Sequence, residues 1–217
     1  DTIDVIFWPH GQGTQWLSQC RVGDVVDVVA PLGKPFSLPN EPVGAVLVAG
    51  GYGAAPMAML ARALLERGCR VSAVLGAATA DKLFGVLPLR ALTDTVLVTT
   101  DDGSSGLRGR VTDALPEAMD AVDAAVVYAC GPMPMLKAVA QVAAERGAYS
   151  QCAVEESMAC GIGVCMTCVL PVIGDDGVTR MVRSCVDGPV FRGDRVRWDD
   201  VHTVPADTWG APTGGGH

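Results

Sequence analysis

The middle of the chain alternates short, uninterrupted apolar runs with longer stretches in which apolar residues recur at helical spacing. Short apolar runs are typical of buried strands, and the longer stretches are typical of amphipathic helices. We predict strands over Ala45–Ala49, Val71–Leu75, Val96–Thr100 and Ala124–Ala129. We predict helices over Ala54–Arg67, Leu83–Leu92, Val111–Met119 and Met133–Arg146. Elements in this order indicate a doubly wound parallel α/β domain, which we place at residues 43–149.

The segment before this domain has a different pattern. Apolar and β-branched residues dominate Ile3–Trp8 and Val25–Ala30, which predicts two extended strands. Two strands cannot bury a core by themselves, so we interpret residues 1–38 as part of a small β-barrel. Because Asp1 already stands in strand-like sequence, we expect the chain to be truncated at its N-terminus.

The segment after the α/β domain predicts a small third domain at residues 150–201. Val169–Ile173 and Thr179–Val182 flank an Asp-Asp-Gly turn and predict a hairpin. The last residues, 202–217, end in a run rich in Gly and Pro, and we predict a flexible tail there. The expected fold class is therefore α+β and multidomain.

Composition narrows the class of protein. Hydrophobic residues make up 49% of the 217 residues, as expected of a chain with packed cores. The formal net charge of −8 makes nucleic acid an improbable partner. The apolar runs are too short to span a membrane. Eight cysteines without a secreted-domain pattern favour a reducing compartment, and we expect a cytoplasmic protein.

Four of the eight cysteines form the strongest motif in the chain. Cys160, Cys165 and Cys168 have the spacing C-x4-C-x2-C, and Cys185 follows seventeen residues later. This is the plant-type arrangement of a [2Fe–2S] cluster. A zinc ribbon would require two C-x2-C pairs, whereas only one is present. A disulfide framework suits short secreted chains, and simple core burial does not explain the clustering.

Two glycine-rich turns follow the first and fourth predicted strands. The first turn contains Gly50, Gly51, Gly53, Ala54, Ala55 and Pro56, and the second contains Cys130, Gly131 and Pro132. Such turns either let a backbone approach a pyrophosphate or serve packing alone. The Cys130 thiol is either a small buried group or a neighbour of a nicotinamide ring. No Arg or Lys stands in Gly76–Asp81 after the second strand, which favours NADH over NADPH, although Lys82 and Arg108 are cations that could reach a 2′-phosphate.

Other residues carry weaker expectations. Glu155 and Glu156, just before the cysteine loop, are interpreted as a solvated pair. Core burial is the expected fate of Cys20, Cys69 and Cys152.

The order of these motifs resembles a known family. Gly13-Thr14, Gly50–Pro56, Thr100-Asp101-Asp102-Gly103-Ser104, Cys130-Gly131-Pro132 and the loop Glu156–Cys168 occur in sequence. Together they resemble the electron-transfer subunit of class 1B dihydroorotate dehydrogenase. That family belongs to the ferredoxin–NADP reductase superfamily and combines an FAD barrel, an NAD domain and a C-terminal [2Fe–2S] domain.

The resemblance implies a relay of electrons between NAD(H), FAD, the [2Fe–2S] cluster and an FMN in a separate catalytic subunit. That subunit oxidises dihydroorotate to orotate in pyrimidine biosynthesis, and the assembly expected is a heterotetramer. By resemblance, the cluster ligands are Cys160, Cys165, Cys168 and Cys185. The FAD contacts are Ile6, Phe7, Trp8, Gly13 and Thr14. The NAD contacts are Gly50, Gly51, Gly53, Ala54, Ala55, Pro56, Gly131 and Pro132, with Cys130 as the catalytic thiol.

One departure from the family and two rival functions accompany this expectation. The family's flavin-anchoring motif would lie before residue 1, so we expect weakened FAD binding and impaired activity. The first rival is an NAD(P)H-dependent reductase subunit of a hydrogenase, sulfide dehydrogenase or transhydrogenase complex. The second is a redox-sensing Fe–S module without turnover.

Overall fold

The computed structural model describes residues 2–211 and divides the chain into two compact units. The first unit ends at Leu32, and the second begins at Gly33. Nearly all regular structure lies in the second unit.

The first unit contains one helix, α1 (Gln12–Ser18), and no β-strand within residues 2–32. The strands predicted over Ile3–Trp8 and Val25–Ala30 are therefore wrong. A β-branched sequence favours extended backbone, but a strand forms only where a neighbouring strand pairs with its amide and carbonyl groups. Here the apolar side chains stay exposed: Ile3 is 77% and Val25 is 87% accessible to solvent.

The second unit is built on a seven-stranded sheet with a separate two-stranded hairpin. The strands are β1 (Gly44–Gly50), β2 (Arg70–Ala77), β3 (Val96–Thr100), β4 (Leu107–Arg108), β5 (Ala124–Cys130), β6 (Tyr149–Ala153), β7 (Val169–Ile173), β8 (Thr179–Arg183) and β9 (Val190–Arg192). The order in the large sheet is β4-β3-β2-β1-β5-β6-β9. All its pairs are parallel except β6 with β9. The hairpin pairs β7 with β8 in antiparallel fashion.

Helices cover both faces of the large sheet. They are α2 (Met57–Glu66), α3 (Val86–Arg90), α4 (Val111–Val122) and α5 (Met133–Glu145), with short 3-10 turns at Gly51–Ala54, Ala80–Lys82 and Trp198–Asp200. Along β1, Leu47 belongs to the buried cluster that includes α2 and α3, whereas Val46 and Val48 belong to the cluster that includes α4 and α5. The doubly wound α/β fold is confirmed.

Two helices differ from the pattern-based bounds. The stretch predicted over Leu83–Leu92 is helical only at α3, because Gly85 adopts a left-handed φ of +77° immediately before it. The helix predicted from Ala54 begins at Met57, after the 3-10 turn. Both differences lie at element ends, where capping geometry decides the boundary.

The cysteine-bearing segment shares the large sheet with the α/β domain. Residues 150–201 contribute most of β6 and all of β9 to that sheet, and the domain boundary at residue 150 stays a prediction. The strand β6 has no apolar run that would predict it, because its buried residues include Ser150 and Gln151. The Gln151 side chain donates to the carbonyl of Ser37 and accepts from the Ser37 amide, both at 2.8 Å.

The structure describes residues 202–211 of the predicted tail, and several of them contact the rest of the second unit. Within residues 202–211, the Trp209 amide donates to the carbonyl of Thr179 at 2.8 Å, and Thr208 is buried. Arg197 forms an ion pair with Asp207 at 2.5 Å. Residues 212–217 lie outside the described part of the chain. Among the described residues, no helix has the length and apolar character needed to cross a membrane.

Candidate functional site

The two glycine-rich turns lie side by side at one edge of the sheet. Strands β1 and β5 are parallel neighbours, with Ala49 opposite Cys130. From β1 the chain continues to β2 and β3 on one side, and β5 and β6 lie on the other. Open α/β sheets bind ligands at such a switch point, outside the carboxyl ends of the strands.

The turns touch closely enough to require glycine. A Cβ at Gly53 would lie 2.5 Å from the carbonyl carbon of Cys130 and 2.9 Å from the amide nitrogen of Gly131. A Cβ at Gly131 would lie 3.0 Å from the amide nitrogen of Gly50. Packing therefore explains part of the glycine content. The same absence of side chains leaves backbone amide groups accessible to a ligand.

Each turn leads into a helix. Pro56 immediately precedes α2 and Pro132 immediately precedes α5. The first-turn N–H groups of a helix lack partners within the helix and carry a partial positive charge. Two helix N-termini at one switch point are suited to a pyrophosphate. The remaining predicted contacts of the first turn, Ala54 and Ala55, stand in or next to its 3-10 segment.

Cys130 occupies the end of β5 in a half-buried position. Burial is the main cause that raises the pKa of its thiol to about 11, and the negative charge of Glu155 adds to the effect. The thiol is therefore protonated at neutral pH. Cys130 pairs with Ala153, and Glu155 follows two residues later. Sequence reasoning missed the proximity of Glu155 to Cys130, because β6 itself was not predicted.

The loops after β2 and β3 are joined at the same edge of the sheet. The Ala80 amide donates to Ser104 Oγ at 2.8 Å, and Ser104 Oγ donates to Asp102 at 2.6 Å. The hydrogen bonds from Ser104 lower the pKa of the Asp102 carboxyl. The Thr-Asp-Asp-Gly-Ser motif thus borders the switch-point edge with a fixed negative charge.

The cluster cysteines stand in two pairs. The Cys165 amide donates to Cys160 Sγ at 3.5 Å, and the Cys185 amide donates to Cys168 Sγ at 3.4 Å. Cys160 Sγ accepts from the amides of Val164 and Cys165 at 3.3 and 3.5 Å, and these backbone hydrogen bonds lower its pKa. The Thr167 hydroxyl is the main cause that lowers the pKa of Cys165 to about 6.

This donor set fits a binuclear cluster. Each iron of a [2Fe–2S] cluster takes two protein thiolates, so four ligands in two pairs match its requirement. Among residues 2–211, no three His, Cys, Asp or Glu side chains converge on a single metal position. The choice of two irons therefore rests on the cysteine spacing and on the contacts within each pair of cysteines.

The loop that carries three of the ligands is curled and anchored. Gly161 and Gly163 adopt left-handed φ values of +68° and +82°. The Arg183 guanidinium donates to the carbonyl of Gly163 at 2.8 Å. Ser184 donates to the carbonyl of Cys168 through both its amide and its hydroxyl, at 2.9 Å each.

Apolar side chains surround the exposed end of this loop. Cys165 is exposed, whereas Cys168 and Cys185 are buried. Ile162, Val164 and Met166 are more than half exposed. An exposed apolar group beside a redox ligand is a candidate contact surface for another protein.

The residues predicted to contact FAD all lie in the unit that ends at Leu32. Gly13 and Thr14 are in α1, and the Thr14 hydroxyl oxygen accepts from the Gly11 amide at 3.1 Å. Ile6, Phe7 and Trp8 lie in the segment that forms no strand. Of these three, Phe7 is half-buried and the other two are exposed.

Two further expectations have mixed outcomes. Cys69 and Cys152 are buried, as predicted, but Cys20 is half-exposed at the end of α1. Glu156 is not solvated: its side chain is only 4% exposed, and one carboxylate oxygen faces His202 Nε2 at 3.5 Å. The solvated-pair interpretation is therefore wrong for Glu156, whereas Glu155 is exposed as expected.

Two family models match this chain. Residues 47–141 match an oxidoreductase NAD-binding domain. Residues 155–197 match the iron–sulfur cluster binding domain of dihydroorotate dehydrogenase B. Fold and site together define an oxidoreductase of the ferredoxin–NADP reductase type with an NAD-binding and an iron–sulfur part.

Curated relatives identify the family. The dihydroorotate dehydrogenase B (NAD(+)) electron transfer subunit of Geobacillus thermodenitrificans is 43% identical over 194 residues, 88% of this chain and 73% of the relative. The subunit of the same name from Bacillus caldolyticus is 44% identical over the same shares. That of Desulforamulus reducens is 35% identical over 91% of this chain and 75% of the relative. The chain belongs to the family of dihydroorotate dehydrogenase B electron transfer subunits.

Solved structures agree with this fold. The NADH-dependent reduced ferredoxin–NADP oxidoreductase, studied for flavin-based electron bifurcation, matches with a TM-score of 0.74 and 37% identity, over 88% of this chain and 67% of that chain. A flavohemoglobin from Malassezia yamatoensis matches with a TM-score of 0.53 and 20% identity, over 66% of this chain and 40% of that chain. The second likeness shows the fold alone.

Proposed function

We propose that this chain relays electrons between NAD(H), FAD and a [2Fe–2S] cluster and a catalytic FMN-containing subunit that oxidises dihydroorotate to orotate. The observation that carries the proposal is the arrangement of four cysteines in two contacting pairs, on a chain whose sheet has a nucleotide-type switch point. The names of the relatives support the substrate and the partner.

In the cluster site, Cys160 and Cys165 would hold one iron, and Cys168 and Cys185 the other. When bound, the cluster accepts one electron at a time, whereas nicotinamide and flavin carry electron pairs. The amides of Val164 and Cys165 donate to Cys160 Sγ and so stabilise thiolate charge. The buried positions of Cys168 and Cys185 limit access of water to one side of the site.

In the nucleotide site, the turns after β1 and β5 would bind the pyrophosphate. The backbone of Gly50, Gly51 and Gly53 and the start of α2 supply accessible N–H groups, and Gly131 and Pro132 supply the opposite wall. Cys130 would lie beside the nicotinamide as a neutral thiol, because its raised pKa keeps the proton on sulfur. The negative charge of Asp102 and the lack of Arg or Lys in Gly76–Asp81 favour NADH over NADPH.

We assign FAD binding to the unit that ends at Leu32, with Ile6, Phe7, Trp8, Gly13 and Thr14 as its contacts. The family resemblance supports this assignment. The nucleotide role belongs to residues 43–149 and the cluster role to residues 150–201, although the two share one sheet. We place the protein in the cytoplasm, where its eight free cysteines would stay reduced.

Electrons would pass to the partner near Cys165. Ile162, Val164 and Met166 form an apolar rim around this exposed ligand, and such a rim suits transient or stable contact with a second subunit. We propose that the catalytic subunit docks there and that the complete assembly is a heterotetramer.

An anaerobic NADH titration tests the relay. The purified chain is supplied with FAD, and the visible absorbance of the cluster is followed as NADH is added. We expect the absorbance to bleach, and dithionite should add little further bleaching. Reduction by dithionite but not by NADH would contradict the relay and favour an Fe–S module without turnover.

The likeness to the NADH-dependent reduced ferredoxin–NADP oxidoreductase supports one second candidate. In that case the chain would be the reductase subunit of a different NAD(P)H-dependent complex. Affinity purification from the native host distinguishes the two candidates. An FMN-containing dihydroorotate dehydrogenase as co-purifying partner supports the first, and any other oxidoreductase subunit supports the second.

A further inference from the structure

Gly33 and Lys34, at the start of the second unit, pack their backbone against the turn at residues 185–189, which begins with Cys185. The Lys34 amide donates a hydrogen bond to the carbonyl of Gly188 at 2.5 Å, and Lys34 forms an isolated parallel bridge with Pro189. Gly33 adopts a left-handed φ of +70°, and a Cβ there would lie 2.5 Å from the Gly188 carbonyl oxygen and 3.4 Å from that of Cys185. Only glycine permits this approach.

The same turn is held from two other directions. Cys185 donates its amide to Cys168 Sγ at 3.4 Å, and the neighbouring Ser184 binds the carbonyl of Cys168. At the far end of the turn, the Val154 amide donates to the carbonyl of Pro189 at 2.9 Å. Of these three contacts, the one from Gly33 and Lys34 comes from residues more than a hundred positions before the cysteine loop.

We propose that Gly33 is a positioning residue for Cys185. Its missing side chain lets the Lys34 amide bind Gly188 and thereby fixes the fourth thiol beside Cys168. This inference rests on the proposed cluster site. Groups that orient metal ligands typically change metal affinity by about 10-fold to 100-fold when they are lost, and we expect Gly33 to act at this level.

The test compares Gly33→Asn with Gly147→Asn in the full chain. Asn tolerates left-handed backbone better than other side chains, so the added Cβ is the main change. Gly147 is a matched control because its φ is +73° and a Cβ there meets no atom within 4 Å. The readouts are the rate of iron loss to a chelator and the electron paramagnetic resonance spectrum of the dithionite-reduced cluster.

We expect Gly33→Asn to lose iron about tenfold faster than the wild type and to show an altered spectrum. Gly147→Asn should match the wild type in both. An unchanged Gly33→Asn, or equal changes in both variants, overturns the inference. If the wild-type protein binds no iron, the proposed function fails as well. If the wild type binds iron and Gly33→Asn behaves like it, only the inference about Gly33 is overturned.

A wild-type experiment decides the matter if Gly33→Asn does not fold. Coupling between sites is reciprocal, so removal of the cluster should loosen the Lys34 contact. We expect hydrogen exchange at the Lys34 amide to accelerate after the cluster is stripped. The Gly147 amide, bonded to the carbonyl of Ala144 at 3.0 Å, should exchange as before. Equal exchange of Lys34 with and without the cluster contradicts the proposal.

Discussion

At the residue scale, the chemistry of single groups depends on neighbours that the sequence does not reveal. The spacing of Cys160, Cys165, Cys168 and Cys185 predicted the cluster motif, because the motif is local apart from its last member. The Glu155–Cys130 proximity could not be predicted, since it requires the register between β5 and β6. Glycine content predicted two turns, but not that Gly53 lies against the backbone of Cys130.

The reactivity of the Cys130 thiol should depend on pH. Burial raises its pKa to about 11, so the reactive thiolate is scarce at pH 8 and increases as the pH rises toward 11. We expect alkylation of Cys130 by iodoacetamide, measured by peptide mass spectrometry, to be slow at pH 8 and to accelerate toward pH 10. The half-exposed Cys20 should be alkylated sooner at pH 8.

The same measurement with NADH present tests where the thiol lies. A nicotinamide beside Cys130 should slow its alkylation further and leave Cys20 unaffected. Rapid alkylation of Cys130 at pH 8 would contradict the burial of its thiol. An alkylation rate unchanged by saturating NADH would contradict its location in the nucleotide site.

At the scale of elements, buried apolar strands were predictable and polar ones were not. The strands β1, β2 and β5 show as apolar runs because both of their faces are covered. The strand β6 is buried too, but its buried side chain Gln151 is polar and forms two hydrogen bonds with the backbone of Ser37. The short strands β4 and β9 carry too few residues for any periodic signal.

Gln151→Met tests the contribution of this buried amide. The change keeps the length of the side chain but removes both hydrogen bonds to Ser37. We expect the free energy of unfolding in urea to fall by about 1–3 kcal/mol. The control is Gln141→Met on the exposed face of α5, which should change stability by less than about 0.5 kcal/mol. A similar effect at both positions would contradict the assigned role of Gln151.

At the scale of the whole molecule, the alternation of strand and helix patterns predicted the α/β fold. It did not predict that strands flanking the cysteine loop would join the same sheet. The cysteine loop was expected in its own domain, yet its flanking strands β6 and β9 extend the nucleotide sheet. Long-range pairing of this kind leaves no mark on local sequence. The first unit lacks its two predicted strands for a related reason. A segment with high strand propensity forms a strand only when a neighbouring strand pairs with it.

The common sheet has a consequence for the relay. Cys130 at the end of β5 and Ala153 at the end of β6 are paired, and the cysteine loop begins a few residues after β6. The proposed nicotinamide site and the proposed cluster site are therefore attached to adjacent strands of one sheet. Such a scaffold would keep their separation constant during turnover.

Metal and sulfide analysis tests the central claim most directly. The purified wild-type chain and the Cys185→Ser variant are compared for iron, zinc and acid-labile sulfide. The wild type should contain about two iron atoms and two sulfides per chain. The variant should retain far less of both, because one iron loses a thiolate. Zinc in place of iron, or a Cys185→Ser variant with a full complement of iron and sulfide, would contradict the account.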